Sequence, residues 1–133
     1  MKTALITGGS RGIGKAIAIE LGKSFNVVVG YSSSKEAGEE VVEEIMKSNG
    51  TATAVEINVT STESVENAFV AIEKEYGGID VLVNNAGIAR DNILPRLKED
   101  EWDEVINTNL TGSFRTSQRA IKHMMKNKWG RIV

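Results

Sequence analysis

Three short stretches of the chain carry residue types with chemistry in them. Thr7-Gly8-Gly9-Ser10-Arg11-Gly12-Ile13-Gly14 gathers four glycines around one arginine. Asn84-Asn85-Ala86-Gly87 sets two amides before a glycine, and Asn107-Thr108-Asn109-Leu110 brings two more amides into a helical run. Glycines between a strand and a helix permit positive φ and let backbone N–H groups approach a diphosphate at the positive end of the helix. The spacing departs from the usual G-x-G-x-x-G fingerprint, because Ile17 stands at its third glycine. Gly9-x-x-x-x-Gly14-Lys15 also matches a P-loop up to its last position, where Ala16 lacks the hydroxyl that would hold magnesium. Lys15 therefore reads as an exposed first-turn residue, and an NTPase is the lesser alternative. A merely tight turn is the other competing reading.

The elements that must position these residues alternate from end to end. Ala4 to Thr7 is a short apolar strand, followed by a helix with Ile13, Ala16, Ile17, Ala18 and Leu21 expected on one face. Asn26 to Tyr31 holds three consecutive valines, as in a strand covered on both sides. Lys35 to Ser48 carries Val41, Val42, Ile45 and Met46 on one helix face, and Asn49-Gly50 suits a left-handed C-terminal cap. Thr53 to Val59 reads as a third strand. Thr60 and Glu63 have capping-box spacing ahead of a helix carrying Val65, Phe69 and Ile72 and closing at Gly77-Gly78. Asp80 to Asn84 is a fourth strand. Glu99 to Lys126 is a long helical run, with Trp102, Val105, Ile106, Leu110, Ile121 and Met125 expected to be buried and a bend at Asn109 and Gly112. Gly130 to Val133 begins a fifth apolar run. The reading is a single α/β domain over residues 1–133, a doubly wound, Rossmann-like parallel sheet holding strands one to four and the start of a fifth.

Composition excludes several classes. Sixteen basic against eighteen acidic residues give a net charge of −2, which argues against a chain living on nucleic-acid phosphates. No apolar run approaches a membrane span, and no basic-then-apolar leader precedes the first strand. Cys 0 excludes disulfides, thiolate catalysis and zinc–thiolate sites, and the single His123 makes a metal site improbable, so no metal is expected. A cytoplasmic location fits. The second strand ends in Tyr31-Ser32-Ser33-Ser34-Lys35 without a carboxylate until Glu36. Those hydroxyls and the Arg11 guanidinium suit the 2′-phosphate of NADP, which an acidic residue would repel.

The glycine loop, the Asn84 to Gly87 tetrapeptide and Asn107-Thr-Asn109-Leu, in that order, resemble the classical short-chain dehydrogenase/reductase family along the entire chain. Gly87-Ile-Ala-Arg90-Asp91-Asn92 through Trp102 is similar to the bacterial beta-ketoacyl-[acyl-carrier-protein] reductases, with Pro95 replacing a usual apolar residue. The resemblance implies Gly8, Gly9, Ser10, Arg11, Gly12, Ile13 and Gly14 around the phosphates of NADP(H), and Ser32 and Ser33 beside its 2′-phosphate. It implies Asn58 and Val59 flanking the adenine, Asn85, Ala86 and Gly87 along the ribose and nicotinamide side, and Asn84 tying neighbouring strands. Asn109 matches the catalytic asparagine, holding a water that links a catalytic lysine to solvent. An asparagine satisfying backbone at a kink is the alternative for that position.

The implied activity is NADPH-dependent reduction of a beta-ketoacyl thioester on acyl carrier protein. A reductase of another ketone or sugar, or a nucleotide-binding or assembly module without turnover, are the alternatives. Family chemistry also needs a serine and a Tyr-x-x-x-Lys beyond the fifth strand, and the sequence stops at Val133 before them. Tyr31-x-x-x-Lys35 fits that spacing but follows the second strand, on the adenosine side. The 133-residue chain is therefore expected to lack reductase activity and to self-associate through Trp102, Phe114, Ile121 and Met125, where family members form tetramers. Lys122, Lys126, Lys128 and Arg131 form a basic cluster. The resemblance makes Lys128 a docking point for the acidic carrier protein; helix-end charge and solubility are the plainer account.

Overall fold

A computed structural model describes residues 1–133. Strands β1 (Thr3–Ile6), β2 (Asn26–Tyr31), β3 (Thr51–Glu56), β4 (Val81–Val83) and β5 (Arg131–Ile132) form one parallel sheet in the order β3-β2-β1-β4-β5. Helices α1 (Gly12–Leu21), α2 (Lys35–Lys47), α3 (Thr62–Tyr76), α4 (Glu99–Ile106) and α5 (Gly112–Asn127) make the crossovers. β4 pairs with β1 in the register Ala4–Val81, Leu5–Leu82, Ile6–Val83, so the β4 end lies beside the glycine loop.

The sheet is covered on both faces, which is why Val27, Val28 and Val29 are all fully buried. One face packs Leu5, Val28, Phe69, Ile72 and Leu82 beneath α3 and α5. The other packs Ile6, Val27, Val29, Val41 and Ile45 beneath α1 and α2. No helix is long and apolar enough to cross a membrane.

Local departures from expectation have local causes. Ser61, not Thr60, caps α3 by accepting from the Ser64 N–H at 3.1 Å. Thr60 is engaged instead by Asn58, whose Oδ1 accepts from its N–H at 3.0 Å and its hydroxyl at 2.6 Å. That turn closes the chain after β3, so the strand runs Thr51–Glu56 rather than to Val59. On α1, Gly14 and Ala18 face the core, leaving Ala16 exposed and Ile13 76% exposed. Asn49, at φ +64°, ends α2 as its type predicts.

The long helical run is two helices joined by a π-turn at Asn107–Thr111, where the Gly112 N–H reaches back to the Asn107 carbonyl. Beyond the turn, α5 turns Gly112, Thr116, Ala120 and Met124 to the sheet. Leu110, Ile121 and Met125, expected to be buried, are exposed, as is Trp102 on α4; Val105 and Ile106 are half-buried. Phe114 joins that exposed row at 60%.

Candidate functional site

The C-terminal ends of the first four strands converge on one cleft of about 220 Å3. Gly8 enters it from the β1 loop, Ser32 from β2, Asn58 and Val59 from β3, and Ala86 and Gly87 from β4. Six of the residues singled out in the sequence thus share one wall system. Ile57, Thr60, Ile88, Glu104 and Thr108 complete the lining and were not among them.

Thr7 holds the two central loops together. It is buried, its hydroxyl donates to the Val83 carbonyl at 3.3 Å, and the same oxygen accepts from the N–H groups of Asn85 at 3.1 Å and Ala86 at 3.0 Å. The Asn85 amide nitrogen donates to the Gly8 carbonyl at 3.0 Å, so that side chain clamps loop to loop instead of facing the cleft. Gly8 and Gly12 take φ +63° and +54°, in the left-handed region that glycine enters freely. Gly14 is required by close approach: a Cβ there would overlap the Gly8 carbonyl oxygen and Asn85 Nδ2.

The N-terminus of α1 has neither a side-chain cap nor an acidic residue in its first turn, whereas Ser34 caps α2 through the Ala37 N–H at 3.1 Å. The first-turn N–H groups of α1 and its dipole are therefore free to meet an anion. Ser10 is half-buried in the loop; Arg11, Ile13 and Ser33 are exposed, and none of the four lines the cleft. Lys15 pairs with Glu44 of α2 at 3.3 Å.

The helix bend reaches the same site. Asn109 Oδ1 accepts from the Ile88 N–H at 2.8 Å and its Nδ2 donates to the Ile88 carbonyl at 2.9 Å, so one side chain satisfies both backbone groups of a cleft residue. Asn84 ties β4 to α5 rather than to a neighbouring strand by its side chain, accepting from the Thr116 hydroxyl at 2.6 Å and donating to Ser117 at 3.1 Å. Its main-chain N–H does bond across to Val133 at 2.7 Å. Arg115 donates to the Val59 carbonyl at 2.9 Å and fixes the β3 side of the cleft from α5.

Neither tyrosine is placed for chemistry here. The Tyr31 ring packs against Gly38 of α2, where an added Cβ would lie 2.8 Å from its Cδ1, and Lys35 turns to Glu39 at 3.8 Å. Tyr76 ends α3 ahead of β4 and packs on the core, where burial and then the nearby Glu75 push its phenol up.

A larger cleft of about 610 Å3 lies between α3 and α5; it holds none of the expected cofactor or catalytic residues, though Phe114 and Lys122 line it. Arg119 on its wall binds Glu66 at 2.7 Å and also Glu73, and lies 5.4 Å from the Phe69 ring centre. These hydrogen bonds hold the guanidinium charged and draw Glu66 below the ordinary carboxylate range.

The sequence model of the family described as short chain dehydrogenase matches residues 2–133. The chain belongs to the short-chain dehydrogenase family. The 3-oxoacyl-[acyl-carrier-protein] reductase FabG of Staphylococcus aureus is 47% identical over 133 residues, covering 99% of this chain and 54% of the relative. The protein of the same name from Vibrio cholerae is 48% identical over 132 residues, covering 99% and 53%. A solved structure of a protein assigned as a gluconate dehydrogenase from Agrobacterium tumefaciens superposes with a TM-score of 0.94 at 33% identity, covering 98% of this chain and 52% of that one. The chain spans about half the length of the curated relatives it matches.

In a short-chain dehydrogenase the group to test against this site is a nicotinamide dinucleotide, and the residues fit it. An uncapped helix start, a loop into which no Cβ can enter at Gly14, and a cleft lined from four strand ends suit a diphosphate with a nucleoside on one side. No acidic residue follows β2 before Glu36, and Arg11 makes no ion pair within the chain.

Proposed function

We propose that residues 1–133 form the cofactor-binding portion of an NADPH-dependent reductase that converts a beta-ketoacyl thioester on acyl carrier protein to the beta-hydroxyacyl form. The observation that carries this reading is the meeting of Gly8, Ser32, Asn58, Val59, Ala86 and Gly87 in one cleft, in a chain 47% identical to a 3-oxoacyl-[acyl-carrier-protein] reductase.

Bound NADPH would supply the hydride. Gly8 to Gly14 hold its diphosphate with main-chain N–H groups at the start of α1. Arg11, Ser32 and Ser33 bind the 2′-phosphate by charge-assisted hydrogen bonds. Asn58 and Val59 border the adenine, while Asn85 keeps Ala86 and Gly87 at the height of the ribose and nicotinamide. Asn109 acts as a positioning residue through Ile88, and its second Nδ2 hydrogen serves the water that family chemistry requires.

Protonating the carbonyl oxygen needs an acid beside the nicotinamide. Tyr31 and Tyr76 lie elsewhere, so the 133-residue chain by itself binds NADPH and does not reduce ketones. In the full reductase, exposed Lys128 docks the acidic carrier protein, the Phe114 face of α5 joins copies of the chain, and the protein works in the cytoplasm. An alternative substrate, another ketone or a sugar acid, draws on the likeness to the gluconate dehydrogenase at lower identity.

The test is NADPH oxidation by a version extended to the relatives' length, with an acetoacetyl thioester and with oxidised sugar acids. Turnover of the thioester supports the reading; turnover only of a sugar acid replaces the substrate, and no NADPH binding by either version overturns the cofactor assignment. Lys128→Glu should raise KM for the carrier-linked thioester and spare a small thioester analogue; equal effects would refute docking there.

A further inference from the structure

β3 is an edge of the sheet, the one away from β5, and reads Thr51-Ala52-Thr53-Ala54-Val55-Glu56. Its register with β2 runs without a bulge from Asn26–Thr51 to Tyr31–Glu56. The Ile57 N–H donates to the Tyr31 carbonyl at 2.8 Å, whereas Asn26 and Gly30 of β2 bond the other way, to Lys2 and Gly9. Successive residues of a parallel ladder bond to opposite sides. Thr53 and Val55 therefore use their main-chain groups on β2, and Ala52, Ala54 and Glu56 turn theirs outward. No main-chain group elsewhere in the chain meets those outward donors and acceptors.

Proteins guard such an edge with lysine, proline, a bulge or a covering segment. β3 has no lysine, proline or bulge, and its central side chains are small. Beside it a trough of about 360 Å3 separates β3 from α3, with Val55, Ser64, Ala68 and Ala71 along it and the exposed Glu56 and Glu63 at its rim. Charge along this stretch has one sign. From Ser48 to Glu73 the sequence contains no lysine or arginine. Of the four glutamates in that span, Glu66 and Glu73 are held by Arg119, but Glu56 and Glu63 make no ion pair.

We infer that β3 is a docking edge for an extended, basic segment of a partner protein, which adds to the sheet as a further strand beyond β3. Main-chain pairing with Ala52, Ala54 and Glu56 supplies affinity, and alternate side chains of the incoming strand lie over the trough. A lysine or arginine among them reaches Glu56 or Glu63. A second copy of this chain is the poorer occupant, because its own β3 brings glutamate and no cation to the edge. The surface is separate from the cofactor cleft, and the inference does not depend on what that cleft binds.

The probe is the peptide acetyl-Lys-Thr-Val-Thr-Val-Lys-amide, with Glu-Thr-Val-Thr-Val-Glu as its counterpart. Each is titrated at low salt into the isotope-labelled chain, with affinity read from amide chemical shifts and pairing from amide hydrogen exchange. The lysine peptide should bind at least about tenfold more tightly than the glutamate peptide. It should slow exchange at Ala52, Ala54 and Glu56 and leave Thr53 and Val55, already bonded to β2, unchanged. Ala54→Pro removes one outward N–H and sets a ring on the edge without touching the β2 ladder. Its circular dichroism and urea midpoint should stay near wild type while peptide affinity falls at least about tenfold. Glu56→Lys combined with Glu63→Lys should reverse the preference between the peptides, and decides the matter with the exchange pattern if Ala54→Pro does not fold. Absence of binding overturns the inference, as does equal affinity for the two peptides. Binding without slowed exchange at those three residues overturns it too. Slowed exchange that grows with protein concentration in the absence of peptide would assign the edge to a second copy and overturn it likewise.

Discussion

Thr7→Val is the substitution that tests the architecture of the site most directly. Valine keeps the shape and the β-branch of threonine, so β1 and the core beneath it are undisturbed, but the hydroxyl is lost. In the folded chain that oxygen is the acceptor for the Asn85 and Ala86 N–H groups and a donor to the Val83 carbonyl. The Val83 carbonyl retains the Thr7 N–H at 3.1 Å, and Asn85 N–H keeps a second contact to Val83, so the group most nearly orphaned is the Ala86 N–H. A buried donor left without a partner costs about 1–3 kcal/mol, and half-buried Ala86 with some access to water puts the expected loss near 2 kcal/mol. For a domain of this size that loss lowers Tm by roughly 5–10 °C. Thr7→Ser, which keeps the oxygen and loses only a methyl, should cost about 1 kcal/mol. Urea denaturation of the three proteins, with a common slope, gives the values. NADPH affinity should fall in Thr7→Val beyond what unfolding explains, because only the Asn85–Gly8 contact then still holds the loop at Asn85–Gly87 to the glycine loop. A valine variant within 0.5 kcal/mol of wild type, or a serine variant as damaged as the valine, would refute the reasoning.

Three further outcomes follow from the same geometry. Arg11→Ala should weaken NADPH about tenfold or more, as one charge-assisted contact of roughly 1.5–3 kcal/mol implies, and leave NADH nearly unchanged; equal losses in a fluorescence titration would show that Arg11 does not read the 2′-phosphate. Glu66 is held below the ordinary carboxylate range by Arg119, so its contribution to stability is present in full above its unfolded pKa and is lost as pH falls through the lower folded value. Glu66→Gln should therefore flatten the acid side of the stability–pH curve measured by thermal melts, and an identical acid limb would remove Glu66 from the account. Phe114→Glu should lower the mass seen by light scattering while circular dichroism shows the chain still folded, since the ring is largely exposed; a wild-type chain already monomeric at high concentration defeats that prediction.

Much of this fold is legible because its signals are local. Three valines in a row need cover on both sides, Asn49 and Gly77 end helices by adopting positive φ, and alternating strands and helices imply parallel pairing. The loops that gather at the cleft were readable for the same reason: each follows a strand whose end is marked by glycine, serine or asparagine. What escaped the sequence depends on distant partners. Thr7 looks like an ordinary strand residue, and nothing nearby shows that its hydroxyl serves a segment 79 residues away. Arg115 reads as a helix-surface cation until Val59 is brought to it across 56 residues. Glu104 enters the cleft wall only because α4 folds back over it. The apolar positions Trp102, Ile121 and Met125 were read as interior from period alone, but periodicity marks a stripe without saying what covers it. The shift from Thr60 to Ser61 at the start of α3 came from competition between two local acceptors, with Asn58 taking Thr60 first.

The π-turn at Asn107–Thr111 makes helix length a form of aim. One extra residue per turn lets the π-turn keep Asn109 against Ile88 while α5 presents Thr116, Ala120 and Met124 to the sheet. An unbroken α-helix through the same number of residues would rotate everything after it by up to about 100°. Thr116 would then swing away from Asn84, and Lys128 would leave its place at the end of α5. Single substitutions along α5 alter one contact each, but a change that straightens the turn at constant length reassigns the faces of the entire helix. The wide turn, more than any one side chain along α5, thus sets which face of that helix meets the sheet.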